Sequence, residues 1–288
     1  MFLKDSLKDK RILVTGGGSG LGLAMGLRFA ELGATVAICG RSEARLVAAE
    51  QELKKHGGQV RAYPVDVRDA QAVAELFRKL DHDLGGVTSL VNNAAGNFYC
   101  AAEDLSPNAF KTVVDIVLHG TFNCTMEFGR RCIAEQRPGA VLSIVTTYTE
   151  TGSAFVLPSA CAKAGVYALT NSLAYEWAPY KIRLNSIAPG PFPTEGAWKR
   201  LVPDPTLEDS MRAMNPMGRF GEPEELANLA TFLLSDAAGF INGECVTIDG
   251  GERLRSGQFN FLAERYDRSA LKQIFSAMKG ATKSPAKV

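Results

Sequence analysis

The sequence predicts an α/β fold, a doubly wound parallel sheet of about seven strands with helices on both faces. Three observations lead there. Short β-branched runs alternate with longer helix-like stretches, the pattern of βαβ crossovers. The runs are apolar at nearly every position, so both faces of each strand are covered. A glycine cluster, "LVTGGGSGLG" (13–22), lies between the first strand and the first helix, where the first crossover begins.

Taken in order, "RILVT" (11–15) is the first strand, and the glycine turn opens a helix near 20–32. "TVAIC" (35–39) and "VRAYPV" (60–65) follow as strands, with helices near 43–56 and 69–84 after them. "SLVNN" (89–93) precedes a long helical stretch at 107–136, and "AVLSIVT" (140–146) precedes one at 160–178. "RLNSIA" (183–188) and "ECVTI" (244–248) complete the strands, with a helix near 222–235 between them. The Pro- and Gly-rich stretch 190–220 interrupts this alternation. It is long for a plain connection and is expected to be a substrate lid. With no internal repeat and no linker, the chain reads as one domain over 1–288, carrying a C-terminal extension after about 251.

The 288 residues suffice for a full core, and a net charge of +1 supplies no long-range attraction to nucleic acid or to a membrane surface. The six cysteines (39, 100, 124, 132, 161, 245) form no CxxC and do not cluster with the three histidines, which points to buried thiols in a reducing compartment and no metal site. "MFLKDSLKDKR" lacks the apolar core of a signal, and no apolar run is long enough to span a bilayer. A cytosolic location is expected. The basic "KGATKSPAKV" at the C-terminus reads as a frayed end.

The glycine turn carries the first chemistry. Gly16, Gly20 and Gly22 allow a tight turn, close backbone approach and close helix–sheet packing, so that bare amides at the helix start face an anion. Gly16, Gly18, Ser19, Gly20, Leu21 and Gly22 are therefore candidate dinucleotide-binding residues. The second strand ends "ICGRS", without the carboxylate that would accept from an adenosine ribose. Gly40 leaves room there, and Arg41 and Ser42 can meet a 2′-phosphate, so NADPH is expected over NADH. Asp66, with Val67 beside it, is placed to meet the adenine edge, although an isolated carboxylate there could equally cap the next helix.

"TGGGSGLG", "NNAAG" (92–96), a lysine-bearing helix and "NSIAPGP" (185–191) together resemble the short-chain dehydrogenase/reductase family over residues 8 to about 251. The resemblance implies a Rossmann sheet in which Asn92 and its neighbours, Asn93 among them, knit the strands beneath the cofactor. It also implies that Lys163 holds the nicotinamide ribose, and that "PGPFPT" (189–194) wraps the nicotinamide through Pro189, Gly190, Phe192 and Thr194. A homotetramer is expected on the same ground.

Two positions depart from the family. Ser159 stands four residues before Lys163, where a tyrosine is usual, and Val117 stands where many members carry a catalytic asparagine. A phenol titrates near ~10 and a neighbouring Lys⁺ can lower it; an aliphatic hydroxyl is far weaker. Ser159 is thus a poor acid for reducing a ketone, though ordinary at a helix start. A replacement donor lies nearby. Tyr148 is among the first residues past the fifth strand, and Asn97 lies just beyond the fourth. A phenol and an amide from adjacent strand ends could converge on one oxygen as an oxyanion hole. Each also has a plain reading, Tyr148 as a surface residue and Asn97 as a loop former.

With "NNAAGNF", "LSPNAFKTVVDIVLHGTF", "PSACAKAGV", "APGPFPTEGAW", "EELANLATFL" and "INGECVTIDGGE", this constellation resembles the NADPH-dependent 2,4-dienoyl-CoA reductases, a branch of the family that shares the serine-for-tyrosine exchange. The resemblance implies that Tyr148 and Asn97 hold the thioester carbonyl while Lys163 and Ser159 serve the cofactor and the hydrogen-bond network. It implies that Arg68, Phe98, Ser106 and Arg200 bind acyl-CoA. It gives His119 no catalytic role. An NADPH reductase of another conjugated carbonyl or of a ketone, and a catalytically degraded dinucleotide-binding subunit, are the alternatives. The tail "SGQFNFLAERYDRSALKQIFSAM" is amphipathic in appearance and is left open between packing on a neighbouring subunit and flanking the acyl channel.

Overall fold

The computed structural model describes residues 2–194, 204 and 206–281. Its centre is a seven-stranded sheet of β1 (Arg11–Thr15), β2 (Thr35–Gly40), β3 (Val60–Pro64), β4 (Ser89–Asn92), β5 (Gly139–Ile144), β6 (Ile182–Pro189) and β7 (Cys245–Ile248). All pairings are parallel, in the order β3-β2-β1-β4-β5-β6-β7. The order reverses between β1 and β4, and in such sheets the crevice at the carboxyl ends of those strands is the ligand site.

The helices are α1 (Gly20–Glu31), α2 (Glu43–Lys55), α3 (Ala70–Leu84), α4 (Pro107–Val114), α5 (Gly120–Ala134), α6 (Leu157–Glu176), α7 (Thr206–Met214), α8 (Pro223–Leu234), α9 (Phe261–Arg265) and α10 (Arg268–Ala281). Successive strand residues feed opposite sides of the sheet. Leu13, Leu90 and Val141 enter a core with Phe77 and Leu80 of α3 and Phe128 of α5. Val14, Val91 and Leu142 enter the other, with Met25 and Phe29 of α1 and Leu226 and Ala230 of α8. That is why the strand runs lack polar alternation: Leu90 and Val91 are adjacent and both fully buried. Each such side chain contributes about 2 kcal/mol on burial.

Helix starts follow local chemistry. Asp69 caps α3 by accepting from the amides of Gln71 and Ala72, and Ser106 caps α4 by accepting from Ala109 N at 3.2 Å. The stretch expected as one helix over 107–136 is instead α4 and α5 joined by a π-helical turn over Asp115–His119. A wider turn of this kind re-aims side chains and is commonly found beside functional sites. Val117 is buried in it, against Val113, Val145, Ala162 and Val166. The stretch 190–220 is less irregular than expected, since it contains α7.

Candidate active site

Strand β1 ends in Thr15, whose hydroxyl accepts from the amides of Asn93 and Ala94, both at 3.0 Å. Asn93 Nδ2 donates to the carbonyls of Thr15 (3.0 Å) and Gly16 (3.3 Å). The turn after β1 is thereby stapled to the loop after β4. A Cβ on Gly22 would lie 2.5 Å from both Asn93 Nδ2 and the Gly16 carbonyl, and Gly16 has φ 65, so neither position tolerates a side chain. Asn92 is buried below, with Nδ2 donating to Thr125 Oγ1 at 2.9 Å.

The turn borders a pocket of about 180 Å³ lined by Gly16, Gly18, Ser19, Arg41, Ser42, Asp66 and Val67, all of them expected cofactor residues. Ala94, Ala95 and Ile116 are also among its lining residues. Arg41 is exposed and has no ion pair among the described residues. Ser42 caps α2, accepting from Arg45 N at 3.5 Å. Asp66 does not stand alone. Both its oxygens accept from the fork of Arg68, with Nη2 to Oδ2 at 2.6 Å, and this hydrogen bond holds its carboxyl below the usual range. Leu21 packs against the core beneath the turn. Thr194 closes over the turn: a Cβ on Gly20 would lie 3.4 Å from its Oγ1. Gly190 is pinned by its amide to the Ile248 carbonyl at 2.9 Å, next to Pro189 at the end of β6. The Phe192 ring is buried against Gly221.

The second half of the site lies beyond β4 and β5. Lys163, on α6, is 6% exposed and donates through Nζ to the Ile144 carbonyl at the end of β5. Among the described residues no carboxylate reaches it, and burial pulls its ammonium down to about 8. One turn earlier, Ser159 is 4% exposed. It does not cap the helix, because α6 begins at Leu157 and the capping position is Val156. Its Oγ lies instead 3.4 Å from the hydroxyl of Tyr148, which arrives on the loop after β5. A phenol therefore stands beside the serine although it does not belong to the helix that carries the serine and the lysine.

Asn97 is half-buried on the loop after β4, and its Oδ1 accepts from Phe98 N at 2.9 Å. Its amide NH₂ has no partner among the described residues. Phe98 packs on the Val113–Val117–Val145 cluster. The hydroxyl of Thr146 is buried with no partner among the described residues. Sequence reasoning passed over it, although its place just past β5 was a signal. A buried hydroxyl left unpaired at a strand end suits a bound group. His119 is exposed and bonded to Asp115 at 3.0 Å. Arg200 lies outside the described residues.

The residues thus fit a nicotinamide dinucleotide: a side-chain-free turn at a helix start, an arginine and a serine at the end of β2, a buried lysine, and an orphaned hydroxyl just past β5. Among the described residues no three His, Cys, Asp or Glu side chains are grouped to hold a metal. No described helix is long and apolar enough to cross a membrane.

A family model described as enoyl-(acyl carrier protein) reductase matches residues 16–252. The chain belongs to the short-chain dehydrogenase/reductase family. It is an oxidoreductase. Among the relatives, a Caenorhabditis elegans protein named probable 2,4-dienoyl-CoA reductase 3, (3E)-enoyl-CoA-producing, is 46% identical over 257 residues, 88% of this chain and 83% of that one. A Bacillus subtilis protein named probable 2,4-dienoyl-CoA reductase, (2E)-enoyl-CoA-producing, is 43% identical over 255 residues, 88% of this chain and 100% of that one. Among solved structures of the family, a short chain dehydrogenase from Bacillus anthracis is 42% identical with a TM-score of 0.79, over 86% of this chain and 98% of that one. A gluconate 5-dehydrogenase from Burkholderia cenocepacia, in complex with NADP and tartrate, is 30% identical with a TM-score of 0.80, over 85% and 96%.

Proposed function

We propose that the chain reduces 2,4-dienoyl-CoA thioesters to 3-enoyl-CoA with NADPH, in the β-oxidation of unsaturated acyl chains. One observation carries the reading. The Tyr148 phenol stands 3.4 Å from Ser159, the residue that occupies the family's usual tyrosine position, and it comes from a strand-end loop rather than from the lysine helix. The site has therefore kept a phenol donor while moving it.

When bound, NADPH supplies hydride to the δ carbon of the conjugated acyl group. The residues of the chain do the rest. Arg41 and Ser42 meet the 2′-phosphate, and the turn over Gly16, Gly18, Ser19, Gly20, Leu21 and Gly22 faces the pyrophosphate. Asp66 and Val67 flank the adenine. Lys163 holds the nicotinamide ribose, and Asn93, Pro189, Gly190, Phe192 and Thr194 shape the floor and wrap of that site. Negative charge moves onto the thioester oxygen, where the Tyr148 hydroxyl and the Asn97 NH₂ donate to it; donors of this kind are worth roughly ~3 kcal/mol each. Ser159 orients the phenol through its hydroxyl. A proton added from water at the α carbon completes the 3-enoyl product. Addition at the γ carbon would give the 2-enoyl isomer, and relatives named for both products exist. No alkoxide forms, so no acid is needed at Ser159. Arg68, Phe98, Ser106 and Arg200 are assigned to the acyl-CoA.

We also propose one catalytic domain over the whole chain, a cytosolic location, which the free thiols suit, and a homotetramer built on α5 and α6, where Phe122 and Tyr175 are exposed. Light scattering and cell fractionation check the last two. The activity is tested by following NADPH oxidation with a 2,4-dienoyl-CoA, with simple 2-enoyl-CoAs and with ketones. Oxidation only with the dienoyl thioester supports the reading. Oxidation only with a ketone ends it, and none with any substrate marks a binding subunit.

A further inference from the structure

The parallel sheet has a second open end. At the amino ends of β1, β4, β5 and β6 lies a cavity of about 700 Å³, the size of a small-ligand site. A strand's length, roughly 17–20 Å, separates it from the carboxyl ends where the cofactor residues gather. Lys10, Arg137, Lys181 and Arg183 line it, against two carboxylates, Asp9 and Asp236. The reduction proposed above makes no use of it.

The four cations are not equally committed. Lys10 pairs with Asp236 at 2.5 Å, and Arg137 with Glu135 at 2.9 Å. Arg183 is half-buried and has no ion pair among the described residues. Its guanidinium donates to the carbonyls of Ile241 and Ser235, both at 3.2 Å, which leaves further N–H groups over. Burial lowers its pKa from arginine's usual value, with Asp236 opposing, so the charge sits in poor solvent without a bonded counter-ion. Lys181 is exposed two residues earlier, and its ammonium has no partner among the described residues. Its backbone is left-handed, φ 60, a turn that favours glycine and does not itself call for a lysine. Phe240, also among the lining residues, is wholly exposed. The turn beneath it is fixed, with Gly239 N donating to the Asp236 carbonyl and Ile241 N to the Ala238 carbonyl, both at 3.0 Å, and with Ala238 buried.

We propose that this cavity binds a nucleoside phosphate, with Lys181 and Arg183 meeting the phosphate oxygens and the Phe240 ring stacking on the base. The chemistry favours that class. Phosphate supplies the counter-ion that Arg183 and Lys181 lack, and a guanidinium fork suits its oxygens. A ring held rigid in solvent beside the cations is a stacking surface for a flat base. An acyl chain would leave the charges uncompensated, and inorganic phosphate would fill little of the volume and leave the ring unused. The inference stands apart from the reduction proposed above.

The test is calorimetric titration of the full chain with ATP, adenosine and tripolyphosphate. ATP should bind more tightly than either fragment. Lys181→Glu should weaken ATP and tripolyphosphate by about 10-fold or more, as for the loss of a charged hydrogen bond. Phe240→Ala should weaken ATP and adenosine by about 5-fold or more and leave tripolyphosphate unchanged. Both side chains are exposed, and matching melting temperatures confirm the folds. Two controls place the site. The ATP binding that responds to Lys181→Glu should survive Arg41→Ala, at the dinucleotide turn, and Lys272→Glu, on α10. Absence of ATP binding overturns the proposal. So does ATP binding that Arg41→Ala abolishes and Lys181→Glu leaves intact, which marks the dinucleotide turn as its site. Equal losses from Lys181→Glu and Lys272→Glu would reduce the effect to overall charge and overturn it too. Tripolyphosphate binding as tightly as ATP, with Phe240→Ala silent, would mark an anion site without a base and retire the nucleoside.

Discussion

The Tyr148 hydroxyl lies 3.4 Å from Ser159 Oγ, and the two side chains come from different elements, the loop after β5 and the first turn of α6. If the phenol is the electrophilic donor and the serine only orients it, their removal has unequal effects. Tyr148→Phe is expected to lower kcat by about 10²–10³ and leave NADPH affinity unchanged. Ser159→Ala should cost less than about 10-fold, since losing one neutral hydrogen bond is worth about 1 kcal/mol. Stopped-flow measurement of the chemical step checks this, and the reverse ranking would show the roles exchanged.

Asn97 is the other donor. Its oxygen is held by Phe98 N, which leaves the NH₂ to act. Asn97→Asp removes that donor and adds a negative charge where charge develops, and is expected to lower kcat by at least about 10²-fold. The double variant with Tyr148→Phe should lose less than the product of the single losses, because both serve one oxygen. Steady-state kinetics on the four proteins of the cycle reads the coupling.

Arg41, exposed at the end of β2 and free of ion pairs among the described residues, is the expected reader of the 2′-phosphate. Arg41→Ala should raise the KM for NADPH by about 10-fold or more, as expected for a charged hydrogen bond worth about 1.5–3 kcal/mol, and leave the KM for NADH nearly unchanged. Equal effects on both cofactors would move the 2′-phosphate contact elsewhere.

Burial pulls Lys163 down to about 8. The sign follows from which form binds: the ammonium donates to the ribose, so binding favours the protonated state. In the free enzyme that state is full below this value and is lost as pH rises through it. The dissociation constant of NADPH should therefore be flat below about pH 8 and rise above it, by up to ~10-fold per unit for one linked proton. Lys163→Met should bind weakly at every pH and lack the rise. Fluorescence titration across the alkaline range measures both.

Packing gives a test independent of chemistry. A Cβ on Gly129 of α5 would lie 2.2 Å from the Trp177 ring, which is buried and cannot retreat. Gly129→Ala is expected to destabilise by about 1–3 kcal/mol through overpacking, outweighing the gain in helix propensity. Thermal unfolding reads it.

Much of this was legible in the residues. The strand runs survive to within a residue or two, because central parallel strands are apolar on both faces and β-branched, and nothing else in a chain of this composition looks like them. The glycine turn was legible because its mechanism demands strand before and helix after. Ser159 was misread as a possible cap, since Pro158 behind it suits a first helical turn and α6 had already begun at Leu157. The π-helical turn over Asp115–His119 left no periodicity break large enough to see. Helix α7 was hidden by the prolines and glycines around it, although Leu207, Met211 and Met214 recur at helical spacing. The pairing of Arg68 with Asp66 joins two residues assigned to different ligands, and spacing alone could not reveal it.

The most direct test is a crystal structure of the ternary complex with NADP⁺ and a 2,4-dienoyl-CoA. The account predicts Tyr148 Oη and Asn97 Nδ2 both at hydrogen-bond distance from the thioester oxygen, about 2.7–3.1 Å, with the δ carbon facing the nicotinamide. A Tyr148 ring swung out to solvent in that complex, with the thioester oxygen held by other groups, would contradict it.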